Sequence, residues 1–301
     1  MKYKSNLEKS LSGKKFVVTA EVGPPKGCDS NKIIDKAQKL KGYVDSFNIT
    51  DNQTAVVRLS SMAGAVILKN IGLEPIMQIS CRDRNRIALQ SDVLGAASCG
   101  IRNILFISGD HQSFGNHPDA RGVYDVDSIQ LIKIVKDMRD KGIFQSRDKI
   151  KYKTPQIFIG AAANPFAEPF EYRVDRLEKK VKAGADFIQT QSVYNLDRFR
   201  EYMDEVCTRG LDNKVHILAG VTPLKSLKMT ERMKFHVPGV DVPDEIYKRM
   251  KSCTNQKEEG FSIALEIINE LKKIKGINGI HITALFWEDI IPGIVKKSGL
   301  H

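Results

Sequence analysis

A single-domain α/β fold, a (β/α)8 TIM barrel over residues 15–301 behind a helical extension over residues 1–14, is what this sequence predicts. Three observations carry it. Eight short apolar or β-branched runs recur along the chain, each followed by an amphipathic stretch. Several of those stretches stop on glycine, at Gly72, Gly100, Gly142, Gly184 and Gly210, as helices do. The 301 residues contain no Ser/Gly/Pro-rich linker, and single barrels run to about 250 residues and more. Strands alternating with helices pair in parallel through right-handed crossovers, and eight such units close a barrel. A doubly wound open sheet is the alternative, but no GxGxxG follows an early strand.

The first strand is expected over 15–21, where Val17, Val18 and Thr19 are β-branched. Asp29 or Ser30 then caps a helix over 31–41. The second strand is expected over 44–50 with a helix over 54–71, and the third over 73–79 with a helix over 84–99. The fourth, 103–108, precedes a helix over 126–142, and the fifth, 156–160, a helix over 170–184. The sixth, 185–189, leads into a helix over 195–209. The seventh, 215–220, is followed by helices over 224–233 and 257–275, and the eighth, 279–284, by one over 286–298. The first fourteen residues read as a helix packed across the N-terminal end of the barrel.

Hydrophobic residues make up 42% of the chain and charged residues 28%, the balance of a globular protein with a core. No stretch approaches the roughly 20 apolar residues of a membrane span, and the first residues lack the apolar centre of a signal peptide. A cytoplasmic location without membrane contact is expected. The five cysteines form no CxxC pair and the histidines no HExxH or HxH, so neither disulfides nor a metal site is expected. The net charge of +11 is spread among acids rather than gathered in a stripe, which argues against nucleic acid and suits an anionic substrate.

Polar residues at strand ends feed the C-terminal face of such a barrel, where its chemistry sits. Here they are Glu21, Thr50 with Asp51 and Asn52, Gln78 with Ser80, Ser108-Gly109-Asp110, Asn164, Gln189 to Gln191, Thr222 and Thr283. Glu21 ends an apolar strand and precedes Pro24-Pro25, which stiffen its turn. Burial there raises a carboxyl pKa and keeps it protonated near neutrality, as a general acid requires, although an acid paired with Arg or Lys would occupy the same position. Gly109 lets backbone approach a ligand beside Asp110, or simply makes a turn. Of Gln189 and Gln191, one is expected to face the interior.

Taken together and in order, these pieces resemble the methylenetetrahydrofolate reductase family. The residues that carry the resemblance are Thr19-Ala-Glu-Val-Gly-Pro-Pro25, Phe106-Ile-Ser-Gly-Asp110, the stretch from Leu177 to Gln191, Leu218-Ala-Gly-Val-Thr-Pro223 and Val237-Pro-Gly-Val-Asp-Val-Pro243. The resemblance implies FAD, rather than FMN, across the C-terminal face, and hydride transfer to methylenetetrahydrofolate. Glu21 would be the general acid that opens the imidazolidine ring, Asp110 would contact the pterin beside the flavin, and Gln191 would hydrogen-bond the pterin. Flavin contacts would come from Thr50, Gln78, Ser108, Gly109, Asp110, Tyr124, Asn164 and Lys180.

The chain departs from the family pattern at Gln78, Ser108 and Asn164, where relatives carry His, Arg and His, and at Met229, Met233 and Trp287, where Gln, an aromatic and Arg are expected. Those departures resemble variants of anaerobic bacteria that work with an iron–sulfur or zinc-bearing partner subunit. The electron donor is therefore NAD(P)H or a partner protein, and an oligomer is expected. Two other functions fit the same barrel: a flavin-free pterin methyltransferase serving a corrinoid protein, and a non-catalytic assembly subunit.

Overall fold

In the computed structural model, which describes residues 5–300, the strands are β1 Val17–Glu21, β2 Ser46–Ile49, β3 Pro75–Ser80, β4 Asn103–Ile107, β5 Phe158–Ala163, β6 Phe187–Ser192, β7 His216–Val221 and β8 Ile277–Ile282. Each pairs in parallel with its sequence neighbours, and β1 pairs with β8, so the sheet closes on itself. The helices are α1 Asn6–Ser12, α2 Asn31–Leu40, α3 Ser61–Asn70, α4 Arg86–Ser98, α5 Ser128–Asp140, α6 Arg173–Ala183, α7 Leu196–Thr208, α8 Leu227–His236, α9 Asp244–Ser252, α10 Gln256–Leu271 and α11 Ile291–Lys297. The closed (β/α)8 barrel is thus borne out. Residues 1–4 of the predicted extension, and His301, lie outside the described residues.

Helices pack on the outside of the cylinder through one apolar stripe each; in α2 that stripe is Ile33, Ala37 and Leu40, all fully buried. Inside, the lowest layer is apolar: Val17, Ile76, Leu105, Phe158, Phe187 and Leu218, with Leu7 and Leu11 of α1 inserted from below. The rings of Phe158 and Phe187 stack at 5.1 Å. Gly160 must lack a side chain, because a Cβ there would lie 2.3 Å from the Phe187 ring. The Glu74 carboxylate holds the start of α1, accepting from Asn6 N at 3.1 Å and Leu7 N at 2.8 Å.

The layer above is polar. Asn48 Nδ2 donates to Gln189 Oε1 at 2.5 Å, and Gln189 Nε2 donates to Asn48 Oδ1 at 3.0 Å and Thr19 Oγ1 at 3.2 Å. Thr19 Oγ1 also lies 3.0 Å from His281 Nδ1. Burial pushes the His281 pKa down to about 4, so its ring is neutral at physiological pH.

The helix expected over 286–298 begins only at Ile291, after a 3-10 turn at Glu288–Ile290, and two further helices depart from expectation. The helix expected over 54–71 begins only at Ser61, capped by Ser60, whose hydroxyl accepts from Ala63 N at 3.3 Å. The residues before it form a short 3-10 turn at Gln53–Ala55, with Asn52, Thr54 and Ala55 in the left-handed region. α9 was not expected, although Asp244 and Glu245 open it and Arg249 and Lys251 close it as the helix dipole favours. No helix among the described residues is long and apolar enough to cross a membrane.

Candidate active site

Because every strand runs the same way, the predicted strand-end residues gather at one rim. Glu21 is the last residue of β1 and faces a cavity of about 280 Å³. Gly23, Pro24, Gln53 and Arg58 line it, together with Phe286 and Glu288 from the segment after β8. Burial above all, then the charge of Glu288, raises the Glu21 pKa from 4.5 to about 7, while Arg58 and Lys36 oppose the rise. The acid is therefore about half protonated at neutral pH.

Asp110 sits in the loop after β4 with an exposed side chain. Its Oδ2 accepts from Thr54 N at 2.8 Å, which ties it to the turn whose Gln53 lines the Glu21 cavity. Arg82, nearly fully buried, fixes the two loops together. It donates to the Asp110 carbonyl at 3.1 Å and the Asn52 carbonyl at 3.2 Å, and grips Asp83 with two further bonds at 2.8 and 2.7 Å. Tyr124 Oη donates to the same Asp110 carbonyl at 3.4 Å.

Asp51, also at the end of β2, has a structural partner instead. Its buried carboxylate takes a bidentate pair from Arg84 at 2.7 and 3.2 Å and accepts from Ser80 N at 2.9 Å and Ser80 Oγ at 3.0 Å. Neither Arg82 nor Arg84 was singled out from sequence. Their signal was the charged run Arg82-Asp83-Arg84 directly after a strand.

The remaining predicted residues are distributed around the rim. Thr50 is buried and donates to Gln53 Oε1 at 2.5 Å. Gln78 is partly buried within β3. Ser108 is exposed, with Oγ 3.4 Å from Ser128 Oγ. Gly109 has φ of +86°, and a Cβ there would come within 3.1 Å of Ser80 and Arg82, so any larger residue is strained. Asn164 Oδ1 accepts from Phe166 N at 3.2 Å, and its amide lies against Gly239, where a Cβ would sit 1.8 Å from Nδ2.

Lys180 does not lie on a solvated helix face. From α6 it reaches over the end of β5 and donates to the Ala162 carbonyl at 2.5 Å. Burial first, then Arg176, lowers its pKa to about 8, with Asp127 opposing. Gln189 and Gln191 differ in their partners. Gln189 joins the interior network, whereas Gln191 Oε1 accepts from Ser192 N at 3.1 Å where β6 shifts register against β7. Cys81 is buried and its thiol is pushed up to about 12, chiefly by burial, so it is no nucleophile.

A closed parallel barrel with a protonatable acid at its C-terminal mouth defines a (β/α)8-barrel enzyme. Residues 6–299 match the family profile for methylenetetrahydrofolate reductase, and the chain belongs to that family. It is 25% identical over 276 residues to the 5,10-methylenetetrahydrofolate reductase of Pectobacterium carotovorum subsp. carotovorum, covering 89% of this chain and 85% of that one. It is also 25% identical over 244 residues to methylenetetrahydrofolate reductase 2 of Schizosaccharomyces pombe, covering 74% of this chain but only 35% of that protein. A solved structure of an uncharacterised protein from Clostridium thermocellum, which binds two copies of 5-methyl-5,6,7,8-tetrahydrofolic acid, superposes with a TM-score of 0.68 over 99% of this chain and 100% of that one, at 17% identity.

Proposed function

We propose that this chain reduces 5,10-methylenetetrahydrofolate to 5-methyltetrahydrofolate, with reduced FAD as the hydride source. The observation that carries the reading is Glu21: a carboxyl with a pKa of about 7 at the mouth of a barrel of this family. An acid near neutrality can both hold a proton and release it. The Glu21 carboxyl would deliver its proton to folate N10 as the bond from that nitrogen to the bridging carbon breaks. Asp110, held by Thr54 N, would face the pterin and the positive charge left at N5. Gln191 would give the pterin an amide donor and acceptor. The folate bound by the Clostridium thermocellum protein supports the ligand class.

The residues at the rim suit a flavin dinucleotide. Gly109 holds a left-handed turn packed against Ser80 and Arg82, and Ser108, Thr50, Gln78 and Asn164 offer hydroxyl and amide groups. Lys180 is a half-buried cation that forms no ion pair among the described residues, a match for a diphosphate. Bound there, FAD would supply the hydride. The electrons would arrive from NAD(P)H or from an iron–sulfur or zinc-bearing partner protein, and the working unit would be an oligomer in the cytoplasm.

The test is anaerobic reduction of purified protein by NADH, NADPH and a viologen, each followed by methylenetetrahydrofolate. Glu21→Gln should still bleach its flavin with the effective donor, yet lose about 10²-fold or more in folate-dependent reoxidation. Normal turnover in that variant would remove Glu21 from the mechanism. A folded, flavin-free protein that binds 5-methyltetrahydrofolate would replace reduction with methyl transfer.

A further inference from the structure

Two loops at the rim are joined by one side chain that has almost no surface of its own. In the loop after β2, Asn52, Thr54 and Ala55 have φ of +46°, +56° and +53°. Left-handed backbone at residues other than glycine is strained and persists only where its surroundings impose it. The restraints come from the end of β3 and from the loop after β4. Arg82, just beyond β3 and 3% exposed, donates from Nη2 to the Asn52 carbonyl at 3.2 Å and from Nη1 to the Asp110 carbonyl at 3.1 Å. Thr54 N donates to Asp110 Oδ2 at 2.8 Å. Ala55 packs against Gly115, where a Cβ would lie 1.8 Å from the Ala55 carbonyl oxygen. Asp83 grips the same guanidinium at Nε and Nη2, and these bonds from Arg82 hold its carboxyl below the usual carboxylate range. The fork is therefore fixed in its plane and its charge is balanced where it stands. Arg82 does not line the Glu21 cavity, and it acts on both loops by geometry rather than by a net field.

We infer that Arg82 is a positioning residue for folate reduction: it fixes the Asp110 carboxylate in its working place by clamping the strained turn at Asn52–Ala55 to the loop that carries Asp110. The inference rests on the reading of Asp110 above. Both of its loop contacts are to backbone carbonyls, so Arg82 sets the spacing of the two loops whatever their side chains do. Without the fork, two carbonyls lose their donor and the turn is free to relax toward right-handed backbone. Thr54 N then leaves Asp110, and the exposed carboxylate is free to rotate. A lysine keeps the charge but not the clamp, because an ammonium is a point donor that does not span Asn52, Asp83 and Asp110 in one plane.

A double-mutant cycle on the flavin-loaded enzyme tests this, with wild type, Arg82→Lys, Asp110→Asn and the pair. The readout is the rate at which methylenetetrahydrofolate reoxidises flavin that a viologen has bleached. Arg82→Lys should slow reoxidation about tenfold or more in the wild-type background, the scale of a misplaced catalytic group, while bleaching by the viologen keeps its rate. Once Asp110 is Asn, the same substitution should change reoxidation by less than about twofold. A general loosening of the fold would slow both backgrounds alike. Asp83→Asn, which frees the guanidinium from its partner, goes through the same cycle and stands in where Arg82→Lys does not fold. Equal fold-changes in the two backgrounds, or wild-type reoxidation in Arg82→Lys, would overturn the inference while leaving Asp110 in the mechanism. Wild-type reoxidation in Asp110→Asn alone would sink the parent reading of Asp110 and the inference with it, so the two failures are distinct.

Discussion

Glu21 shows how one side chain ties activity to stability. Its pKa is raised from 4.5 to about 7, so the stability linked to its proton is complete below 4.5 and is lost as pH rises through 7. The same proton is the one the proposed reaction consumes, so folate reduction should fall as pH rises above about 7. Glu21→Gln removes the buried charge. It should therefore raise stability relative to wild type by on the order of 3 kcal/mol at about pH 8, and by little at pH 4. Urea unfolding at the two pH values checks this, and equal stability of the two proteins at pH 8 would show that the carboxylate is not penalised by its site. Asp51 shows the opposite outcome at the neighbouring strand end: with Arg84 and Ser80 around it, its carboxylate is paired and structural. Nothing in the sequence distinguishes these two acids, because both follow β-type runs; the partner decides, and the partner comes from another strand.

At the scale of elements, α1 is a plug rather than an appendage. Leu7 and Leu11 complete the bottom layer of the barrel, and Glu74 caps the helix from β3's leading edge. Leu11→Ala should cost about 2–5 kcal/mol in chemical denaturation, the price of a cavity in a packed interior; a loss below about 1 kcal/mol would mean that the layer collapses around the gap. All the strands were legible because buried parallel strands are continuous apolar runs, and most of the helices because their stripes repeat every 3.6 residues. The start of α3 was not. Gln53 to Ala55 fit a helical window by composition, but contacts to the β4 loop, such as Thr54 N to Asp110, hold left-handed backbone there. The β6 register shift was equally hidden. The expectation that one of Gln189 and Gln191 faces the interior does not follow from a regular strand, where residues two apart share a face; the irregularity between Gln189 and Ser192 is what gives them different partners.

The whole molecule carries a net charge of +11, and its cavity shares that sign. An anionic folate should therefore associate several-fold more slowly at about 150 mM salt than at about 10 mM, as steering is screened. Stopped-flow fluorescence measures this directly, and a salt-independent on-rate would confine the cations' effect to the bound state.

Taken by itself, the chain determined the barrel, the order of its strands and the acids at their ends, because these follow from local periodicity and from turns that adjacent residues impose. Only closure decided which charges meet. Glu288, near the far end of the chain, shares one cavity with Glu21, Lys32 and Lys36 because β1 pairs with β8. The polar interior layer of Thr19, Asn48, Gln189 and His281 has the same origin: it joins four strands, and no window of sequence contains more than one of its members.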